Sequence, residues 1–237
     1  MESKQVSVVT GASKGIGRAI ALKLSKEGHS LAVFGRNESQ LNSLINEIKN
    51  NGNEAVFFTG DIADKNFVDK SISETINLFG KIDNLINNAG VAVFKKFIDS
   101  ELEEFQRQVD TNLYGIYNFT KAVLPQMMER KSGVIINIAS LAGKNGFAGG
   151  TMYAATKHAV LGFSKSLMLE VREYNIKVSA VCPGSVATEL ITNTVMAPTN
   201  IDKILSPNDI AETVAFVINL PVSANLSELD IRPTNPK

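Results

Sequence analysis

The amino-acid sequence predicts an α/β fold, a single doubly wound parallel sheet of about seven strands with helices on both faces. Short apolar runs rich in Val, Ile and Phe alternate with segments of helical periodicity along nearly the whole chain. Continuous apolar runs suit strands that are buried on both faces of a parallel sheet. Strand–helix alternation indicates βαβ units with right-handed crossovers. Because no Pro-, Gly- or Ser-rich linker interrupts it, we expect one domain spanning residues 1–237.

The predicted strands are separated by segments in which apolar residues recur at helical spacing. We expect strands at Val6–Thr10, Ser30–Gly35, Ala55–Thr59, Ile82–Asn87, Val134–Ile138, Val178–Cys182 and Leu226–Ile231. We expect helices from Ile16 to Gly28 and at Glu38–Asn50, Asp64–Phe79, Leu102–Arg130, Tyr153–Tyr174 and Pro207–Leu220. The stretch 184–206 has the least periodicity, and we expect it to form a substrate loop, with a plain irregular connection as the alternative.

Composition and charge exclude several classes of protein. Lys and Arg together number 24, as do Asp and Glu, so the chain has no overall basic footprint for nucleic acid or anionic lipid. A single Cys excludes a disulfide framework, and with two His it argues against a zinc site, so we expect no metal. No apolar run approaches the ~20 residues of a membrane span, and the first residues lack the layout of a signal peptide. A cytoplasmic enzyme without nucleic-acid or membrane partners is the expectation.

A glycine-rich turn follows the first predicted strand. Residues Thr10–Gly17 run directly into a predicted helix, where Gly11 permits a tight turn. Gly15 and Gly17 allow the backbone to approach a pyrophosphate and the helix to pack on the sheet, and the helix N-terminus attracts phosphate. A surface turn is the alternative, but the strand–turn–helix context favours a dinucleotide site of Rossmann type. The expected cofactor contacts in this turn are Gly11, Ser13, Lys14, Gly15, Ile16 and Gly17.

The end of the second predicted strand indicates which dinucleotide binds. An acidic residue there would bond the ribose 2′-hydroxyl of NAD, whereas an Arg accommodates the 2′-phosphate of NADP. This chain has Arg36 and no acid at the strand end, and Lys14 adds a second cation on the same side. Because a guanidinium binds phosphate through two parallel hydrogen bonds, the sequence favours NADP(H). The alternative is that both residues are solvated loop charges.

Tyr153 and Lys157 are four residues apart in a strong helical pattern, which places both side chains on one face. An unperturbed Tyr has a pKa near ~10, and a nearby ammonium would lower that pKa. A shift of ~3 units requires about 4 kcal/mol, which a partly buried cation together with a positively charged nicotinamide ring could supply. In isolation the pair is more typical of a half-buried Tyr beside a snorkelling Lys, so its meaning depends on its surroundings.

Several further motifs accompany this pair in a characteristic order. They are Thr10–Gly17, Asp61-Ile62, Asn87-Asn88-Ala89-Gly90, Asn112, Ser140, Tyr153–Lys157, Pro183-Gly184 and Thr188. In this order and spacing the sequence resembles the short-chain dehydrogenase/reductase family, from about Val6 to Leu220. The resemblance to ketoacyl reductases is the broadest. The ending Glu228–Thr234 is instead similar to sepiapterin-reductase-like and hydroxy-amino-acid-dehydrogenase-like members.

The resemblance implies a catalytic set of four residues. Tyr153 would be the general acid that protonates the carbonyl oxygen, and Lys157 would lower the pKa of that phenol and hold the nicotinamide ribose. Ser140 would orient and polarise the substrate carbonyl. Asn112, expected within the long helix, would anchor a water that relays protons to Lys157. As isolated residues, Ser140 and Asn112 would be interpreted as a cap and as a capping or helix-bending residue.

The resemblance also implies contacts along the rest of the dinucleotide. Asp61 and Ile62 would border the adenine, and Asn87 would bond near the adenosine ribose while its turn is shaped by the residues up to Gly90. A Pro-Gly turn would let the chain pass the nicotinamide ring, with a purely structural turn as the alternative. The implied contacts in these two turns are Asn87, Ala89, Gly90, Pro183, Gly184, Val186 and Thr188.

The predictions for the remaining side chains are less specific. His29 follows a glycine and is expected in a surface turn, and Cys182 is expected to be a small buried apolar residue. Four residues flank the predicted cleft, where they would line an apolar substrate pocket or pack within the core or a lid. These four are Phe94, Phe97, Phe147 and Met152.

The sequence therefore predicts an NADP(H)-dependent oxidoreductase that reduces a ketone or other carbonyl to a secondary alcohol. Its substrate would be a 3-oxoacyl thioester or a more general carbonyl compound. The alternatives are a dehydrogenase of a hydroxy amino acid, polyol or other secondary alcohol, and a sepiapterin-type dicarbonyl reductase. A non-catalytic dinucleotide sensor is the alternative from a different class. The resemblance implies a homodimer or homotetramer, and the atypical ending leaves the choice between them open.

Overall fold

Parallel strands form a single seven-stranded sheet in the computed structural model, which describes residues 4–198 and 200–235. The strands are β1 (Val6–Thr10), β2 (Ser30–Gly35), β3 (Ala55–Thr59), β4 (Asn84–Asn87), β5 (Gly133–Ile138), β6 (Ile176–Pro183) and β7 (Glu228–Ile231). Their order across the sheet is β3-β2-β1-β4-β5-β6-β7, and every pairing is parallel. The doubly wound α/β sheet predicted from the sequence is confirmed.

The strand order changes direction between β1 and β4. Val8 of β1 lies opposite Ala32 of β2 on one side and Leu85 of β4 on the other. From β1 the chain continues to β2 and β3 on one side of the sheet, and from β4 it continues to β5, β6 and β7 on the other side. Sheets of this kind leave a crevice outside the carboxyl ends of the strands at such a switch point, and ligands bind there.

Helices pack on the sheet between the strands. They are α1 (Gly15–Lys26), α2 (Glu38–Asn50), α3 (Lys65–Phe79), α4 (Leu102–Val109), α5 (Gly115–Arg130), α6 (Thr151–Val171), α7 (Glu189–Thr192) and α8 (Pro207–Ile218). The bounds of α2 agree with the prediction, and those of α1, α3, α6 and α8 differ only at their ends. Within residues 4–198 and 200–235, no helix is long and apolar enough to cross a membrane.

The predicted helix Leu102–Arg130 is instead two helices joined by a π-helical turn. This turn spans Asp110–Tyr114, between the end of α4 and the start of α5, and it has Asn112 at its centre. In a π turn each backbone hydrogen bond spans one residue more than in an α-helix. No Gly or Pro marks this turn in the sequence, so the apolar pattern does not reveal it. Such turns are frequent at functional sites.

Apolar clusters fill both faces of the sheet. Successive residues of a strand point to opposite faces, so Ile136 belongs to the cluster beneath α1, α2 and α8, whereas Ile135 belongs to the cluster beneath α3, α5 and α6. Every residue of β1, β2, β5 and β6 is buried. The carboxyl ends of these strands therefore form a rigid platform for the loops that follow them.

His29 is buried, so the expectation of a surface turn is wrong. It is 4% exposed, and its Nδ1 atom lies 2.8 Å from the Ser7 hydroxyl, which also accepts a hydrogen bond from Asn84. Burial lowers the pKa of the imidazole because desolvation disfavours its charged form. The glycine before His29 indicates a turn, but it carries no information on whether the next residue faces solvent.

The stretch 184–206 is more ordered than its sequence pattern indicates. It contains α7 and a short 3₁₀ turn at Ile201–Lys203, and residue 199 lies outside the described residues. Val186 and Leu205 form an isolated parallel bridge, which closes the two ends of the stretch into a loop. The backbone nitrogen of Ala187 donates to the carbonyl oxygen of Leu205 at 2.8 Å.

Candidate active site

The turn between β1 and α1 has the shape of a phosphate-binding loop. Gly11 and Gly15 adopt positive φ angles of 65° and 58°, which glycine tolerates without steric cost. A Cβ atom on Gly17 would overlap the carbonyl oxygen of Gly11 and crowd the side-chain amide of Asn88. The first turn of α1 therefore lies directly against the loop, which is the close backbone packing that a bound pyrophosphate requires.

Asn88 holds this loop, although the sequence analysis treated it only as part of a turn. Its side-chain nitrogen donates to the carbonyl oxygens of Thr10 at 2.9 Å and of Gly11 at 3.2 Å. The Thr10 hydroxyl accepts hydrogen bonds from the backbone nitrogens of Asn88 and Ala89, each at 3.0 Å. The ends of β1 and β4 are thus bonded into one unit. The available signal was an Asn-Asn pair immediately after an apolar strand.

We expect Gly17→Ala to weaken dinucleotide binding, because the added methyl group displaces the loop from Gly11 and Asn88. An overpacked site of this kind costs about 1–3 kcal/mol, so the Kd for NADPH should rise roughly tenfold to a hundredfold. Gly162→Ala is the matched control, since a Cβ atom there meets nothing within 4 Å. Fluorescence titration with NADPH would be run on both variants alongside thermal unfolding. Equal affinities in two folded variants would contradict the assignment of this loop.

The two cations expected at the 2′-phosphate have different surroundings. Arg36 is exposed directly after β2, and the last residue of that strand, Gly35, lies against the hydroxyl of Ser13. Lys14 forms an ion pair with Glu189 of α7. The ammonium of Lys14 therefore links the phosphate loop to the stretch 184–206. Local sequence reasoning could not find this pair, because its members are 175 residues apart.

The turn after β3 contains the two residues expected at the adenine. Asp61 is exposed and its carboxylate accepts a hydrogen bond from the backbone nitrogen of Ala63 at 2.9 Å. Ile62 is 7% exposed and packs so closely on α5 that a Cβ atom on Gly115 would overlap it. Asn118, which the sequence analysis missed, donates to the carbonyl oxygens of Ile62 and Ala63, both at 3.1 Å.

Asn87 lies inside the protein rather than on the rim of the crevice. It is 2% exposed, and its side-chain nitrogen donates to Asn137 at 2.8 Å and to Thr120 at 3.3 Å. Its buried side-chain oxygen has no hydrogen-bond partner among the described residues. The bond from Asn87 near the adenosine ribose stays a prediction. A contact from Asn87 would have to come from its backbone, together with Ala89 and Gly90.

Tyr153 and Ser140 meet beyond the carboxyl end of β5. The Ser140 hydroxyl accepts a hydrogen bond from the backbone nitrogen of Ala142 at 3.1 Å and thereby caps a 3₁₀ turn at Leu141–Gly143. Tyr153, in the first turn of α6, is 8% exposed, and its hydroxyl is close enough to the Ser140 side chain for that side chain to influence its pKa. The site thus places a phenol beside an alcohol.

Lys157 lies one helical turn beyond Tyr153 and is 4% exposed. Its Nζ atom donates to the carbonyl oxygen of Ile138 at 2.8 Å and lies 5.8 Å from the centroid of the Tyr153 ring. A Cβ atom on Gly90 would lie 3.8 Å from this Nζ and 3.4 Å from the side-chain oxygen of Asn112. The turn after β4, the π turn and α6 therefore meet at Lys157.

Asn112 uses both polar atoms of its carboxamide within the protein. Its nitrogen donates to the carbonyl oxygen of Val91 at 2.9 Å and to the Thr156 hydroxyl at 3.0 Å. Its oxygen accepts from the backbone nitrogen of Val91 at 2.8 Å. The side chain consequently fastens the segment after β4 to α6, a role that a position within a long α-helix did not predict.

Burial determines the protonation of Tyr153 and Lys157 in the structure. It raises the pKa of the phenol to about 12, against a smaller lowering by the Ser140 side chain. The lowering of this pKa by Lys157 together with a bound nicotinamide ring stays a prediction. In the structure the Lys157 ammonium bonds Ile138, and burial lowers its own pKa to about 8. Desolvation thus disfavours the charged form of both groups.

The turn after β6 holds the remaining predicted contacts. The backbone nitrogen of Gly184 donates to the carbonyl oxygen of Ile231 in β7 at 2.8 Å, which fixes the Pro183-Gly184 turn against the last strand. Val186 is 4% exposed and packs in the core, so a contact from it would come from its backbone. Thr188 reaches the phosphate loop, because a Cβ atom on Gly15 would lie 3.2 Å from its methyl group.

Aromatic side chains flank the phenol. The Phe94 ring packs edge-on against Tyr153 with a centroid separation of 5.5 Å, and the Phe147 ring lies 5.8 Å from Phe94. Met152 is buried, whereas Phe97 is 69% exposed and faces solvent. Of the four side chains expected at the cleft, Phe94 and Phe147 therefore form an apolar wall next to Tyr153.

Metal and thiol chemistry have little basis in this site. No group of three or more His, Cys, Asp or Glu among residues 4–198 and 200–235 could hold a metal ion. Cys182 is fully buried, as expected, and burial raises the pKa of its thiol to about 11. The thiol is therefore protonated at neutral pH and is a poor nucleophile.

The whole chain is similar to oxidoreductases of one family. The short chain dehydrogenase family profile matches residues 5–198. A 3-oxoacyl-[acyl-carrier-protein] reductase from Synechocystis sp. is 36% identical over 228 residues, which cover 94% of this chain and 92% of that protein. A metagenomic short-chain oxidoreductase in complex with NADP is 35% identical with a TM-score of 0.85, covering 97% of each chain. Serine dehydrogenase from Escherichia coli is 30% identical with a TM-score of 0.85, covering 97% of this chain and 98% of that chain. The chain therefore belongs to the short chain dehydrogenase family of NAD(P)-dependent oxidoreductases.

Proposed function

We propose that this protein reduces a ketone or other carbonyl compound to a secondary alcohol with NADPH. The observation that carries the proposal is the grouping of three side chains: Tyr153 is buried beside Ser140, and the Nζ atom of Lys157 lies 5.8 Å from the centroid of the Tyr153 ring. The glycine turn after β1 adjoins this cluster, so one crevice combines a proton donor with a nucleotide-binding loop. Residues 1–237 would act as one catalytic domain, with 184–206 as the loop over the substrate.

The residues of the crevice fit a dinucleotide. The N-terminus of α1 has no side-chain cap, so its first backbone N–H groups can bond a pyrophosphate. When bound, NADPH supplies the hydride that adds to the carbonyl carbon. We assign side-chain or backbone contacts to Gly11, Ser13, Lys14, Gly15, Ile16, Gly17, Arg36, Asp61, Ile62, Ala89, Gly90, Tyr153, Lys157, Pro183, Gly184 and Thr188, and backbone contacts to Asn87 and Val186.

Tyr153 donates the proton to the carbonyl oxygen. Because burial raises its pKa to about 12, the phenol is protonated at neutral pH and can act as an acid without further preparation. The reverse reaction would require the phenolate form of the same residue. Ser140 orients and polarises the carbonyl, and Lys157 holds the nicotinamide ribose and places positive charge near the developing alkoxide.

Asn112 acts in this scheme as a positioning residue. Its hydrogen bonds to Val91 and Thr156 fasten the chain around Lys157. The surrounding π turn shifts the backbone hydrogen-bonding pattern at this point in the helix. A carbonyl group released there is where a water would bind, and the proton relay from such a water to Lys157 stays a prediction.

We expect Arg36→Asp to reverse the preference between NADPH and NADH. The change removes a guanidinium that pairs with the 2′-phosphate and introduces a carboxylate that repels the phosphate but bonds a ribose hydroxyl. Loss of a charged hydrogen bond costs about 1.5–3 kcal/mol, so KM for NADPH should rise roughly tenfold to a hundredfold. Arg107→Asp, on an exposed position of α4, is the control. If the ratio of kcat/KM values for the two cofactors stayed constant, Arg36 would be only a solvated loop charge.

The similarity to serine dehydrogenase favours a second candidate, the NADP-dependent oxidation of a hydroxy amino acid. Such a substrate needs a cation for its carboxylate. The side chains next to Tyr153 are instead the rings of Phe94 and Phe147, and the nearby Lys95 is paired with Glu104. These surroundings favour an uncharged ketone over an amino acid.

A carbonyl panel with both cofactors tests the proposed function. The panel would contain 3-oxoacyl thioesters, simple ketones, dicarbonyls and, in the oxidative direction, serine and polyols. NADPH consumption with ketones would support the proposal, whereas turnover of serine or polyols alone would favour the dehydrogenase alternative. Ligand binding without any turnover would indicate the non-catalytic sensor. We propose that the protein is a cytoplasmic homo-oligomer, and sedimentation of the same preparation would distinguish a homodimer from a homotetramer.

A further inference from the structure

A cluster of ion pairs joins the turn that carries Ser140 to the carboxy-terminal strand. Lys144 directly follows this turn and pairs with both Glu228 and Asp230 of β7. Lys165 of α6 also pairs with Glu228, at 3.1 Å. The side chains of Lys144 and Glu228 are only 27% and 21% exposed, so solvent screens their attraction less than that of a surface pair.

The turn beside this cluster is a compact unit. The backbone nitrogen of Gly143 donates to the carbonyl oxygen of Ser140 at 2.9 Å. A Cβ atom on Gly143 would lie 2.7 Å from the carbonyl oxygen of Lys157, so the turn rests directly on the backbone of α6. The turn is therefore held by α6 on one side and reaches β7 through the Lys144 ammonium on the other.

The strand that Lys144 contacts also supports the opposite wall of the crevice. β7 has four residues, none of them fully buried, and it lies at the edge of the sheet. Asp230 lies opposite Cys182 in the parallel register, and Ile231 accepts the hydrogen bond from Gly184. One short strand thus bears on both the Ser140 turn and the Pro183-Gly184 turn.

We propose that Lys144 is a positioning residue, which ties the Ser140 turn to β7 and so holds the Ser140 hydroxyl against Tyr153. The inference rests on the proposed function, because it assumes that Ser140 orients a carbonyl. The pairing carboxylates of Glu228 and Asp230 raise the pKa of Lys144, so the ammonium stays charged throughout the neutral range. The tie is consequently permanent under working conditions.

The first test measures the turn itself. Amide hydrogen exchange of the segment 140–147 would be compared in wild type, Lys144→Met, Lys144→Arg and the control Lys165→Met, which removes a cation from the same cluster without touching the Ser140 turn. We expect exchange to become about fivefold faster in Lys144→Met, to be restored in Lys144→Arg and to be unchanged in the control. Unchanged exchange in Lys144→Met would overturn the proposal. If that variant fails to fold, Glu228→Gln combined with Asp230→Asn removes the same tie from the other side.

The second test asks whether the effect on catalysis passes through Ser140. In Lys144→Met we expect kcat for ketone reduction to fall about tenfold, with the Kd for NADPH unchanged. In a Ser140→Ala background the same substitution should cause no further fall, because the group that it positions is gone. Equal falls in both backgrounds would overturn the proposal. A wild type inactive on every carbonyl would refute the proposed function, and hydrogen exchange would still decide whether Lys144 fixes the turn.

Discussion

Tyr153→Phe is expected to abolish carbonyl reduction while NADPH binding persists. The substitution removes one hydroxyl from a buried side chain beside Ser140, and this hydroxyl is protonated at neutral pH. Positioned proton transfer contributes roughly 10²–10⁴-fold to a rate, so kcat should fall by that factor. The phenyl ring keeps the edge-on contact with Phe94, and the packing of α6 is therefore preserved.

Tyr117→Phe provides the matched control, because this tyrosine is 50% exposed on α5 and lies outside the crevice. Its kcat should equal that of wild type, and both variants should unfold at similar temperatures. Single-turnover consumption of NADPH, measured with the best ketone of the panel, would separate chemistry from product release. If Tyr153→Phe reduced the ketone as fast as Tyr117→Phe, Tyr153 would not be the acid and the proposed mechanism would fail.

The strands and the phosphate loop could be predicted because their causes are local. The run Val6–Thr10 contains three valines and no charge, and an uncharged run of this kind is typically buried between two layers of helices. The loop after it is defined by glycines whose spacing reflects a tight turn and a close helix. The same reasoning placed the start of β4 two residues early, at Ile82 instead of Asn84, although the backbone of Asp83 still bonds Val6 and Val134 in the neighbouring strands.

The features that were not predicted depend on contacts between distant segments. The π turn around Asn112 is specified by hydrogen bonds to Val91 and Thr156, which no periodicity encodes. The burial of Asn87 and Val186 follows from which face of the chain meets the core, although both belong to motifs associated with the cofactor. Motif spacing thus identified the neighbourhood of the site, whereas the direction of each side chain required the assembled fold.

The protonation of Tyr153 and Lys157 was also beyond sequence reasoning. Helical spacing correctly placed Lys157 near Tyr153, but only the fold shows the ammonium bonded to Ile138 and both groups withdrawn from water. The spacing predicts that a phenolate and an ammonium attract each other, which would lower the pKa of Tyr153 and raise that of Lys157. Burial acts in the opposite direction, because it raises the pKa of Tyr153 and lowers that of Lys157. Because burial makes the charged form of Lys157 costly while the proposed reaction needs that charge, stability and activity should conflict at this residue.

Lys157→Met is expected to stabilise the protein while it abolishes activity. The pKa of Lys157 falls from its usual 10.5 to about 8 in the folded state, because burial disfavours the ammonium. Charging this buried lysine at neutral pH therefore costs about 3 kcal/mol of stability. Methionine removes that cost but leaves the Ile138 carbonyl without its partner, so a net gain of about 1–2 kcal/mol is expected. Without the cation near the phenol and ribose, kcat should fall roughly a hundredfold or more.

The sign of the pH dependence tests this argument. Between pH values of about 8 and 10.5 the unfolded chain binds more protons than the folded chain at this lysine, so wild-type stability rises with pH. The stability cost of burying the charged lysine is complete below about pH 8 and disappears above about pH 10.5. The stability advantage of Lys157→Met over wild type should therefore shrink by about 2 kcal/mol between neutral pH and about pH 9.5.

Lys177→Met is the control, because Lys177 is a second buried lysine that bonds Ile218 and Leu220 instead of lining the crevice, and its loss should leave kcat unchanged. Denaturant unfolding of both variants at the two pH values, with kcat measured in parallel, decides the matter: a stability difference independent of pH would show that the buried ammonium carries no such cost, and retained activity would remove Lys157 from the mechanism.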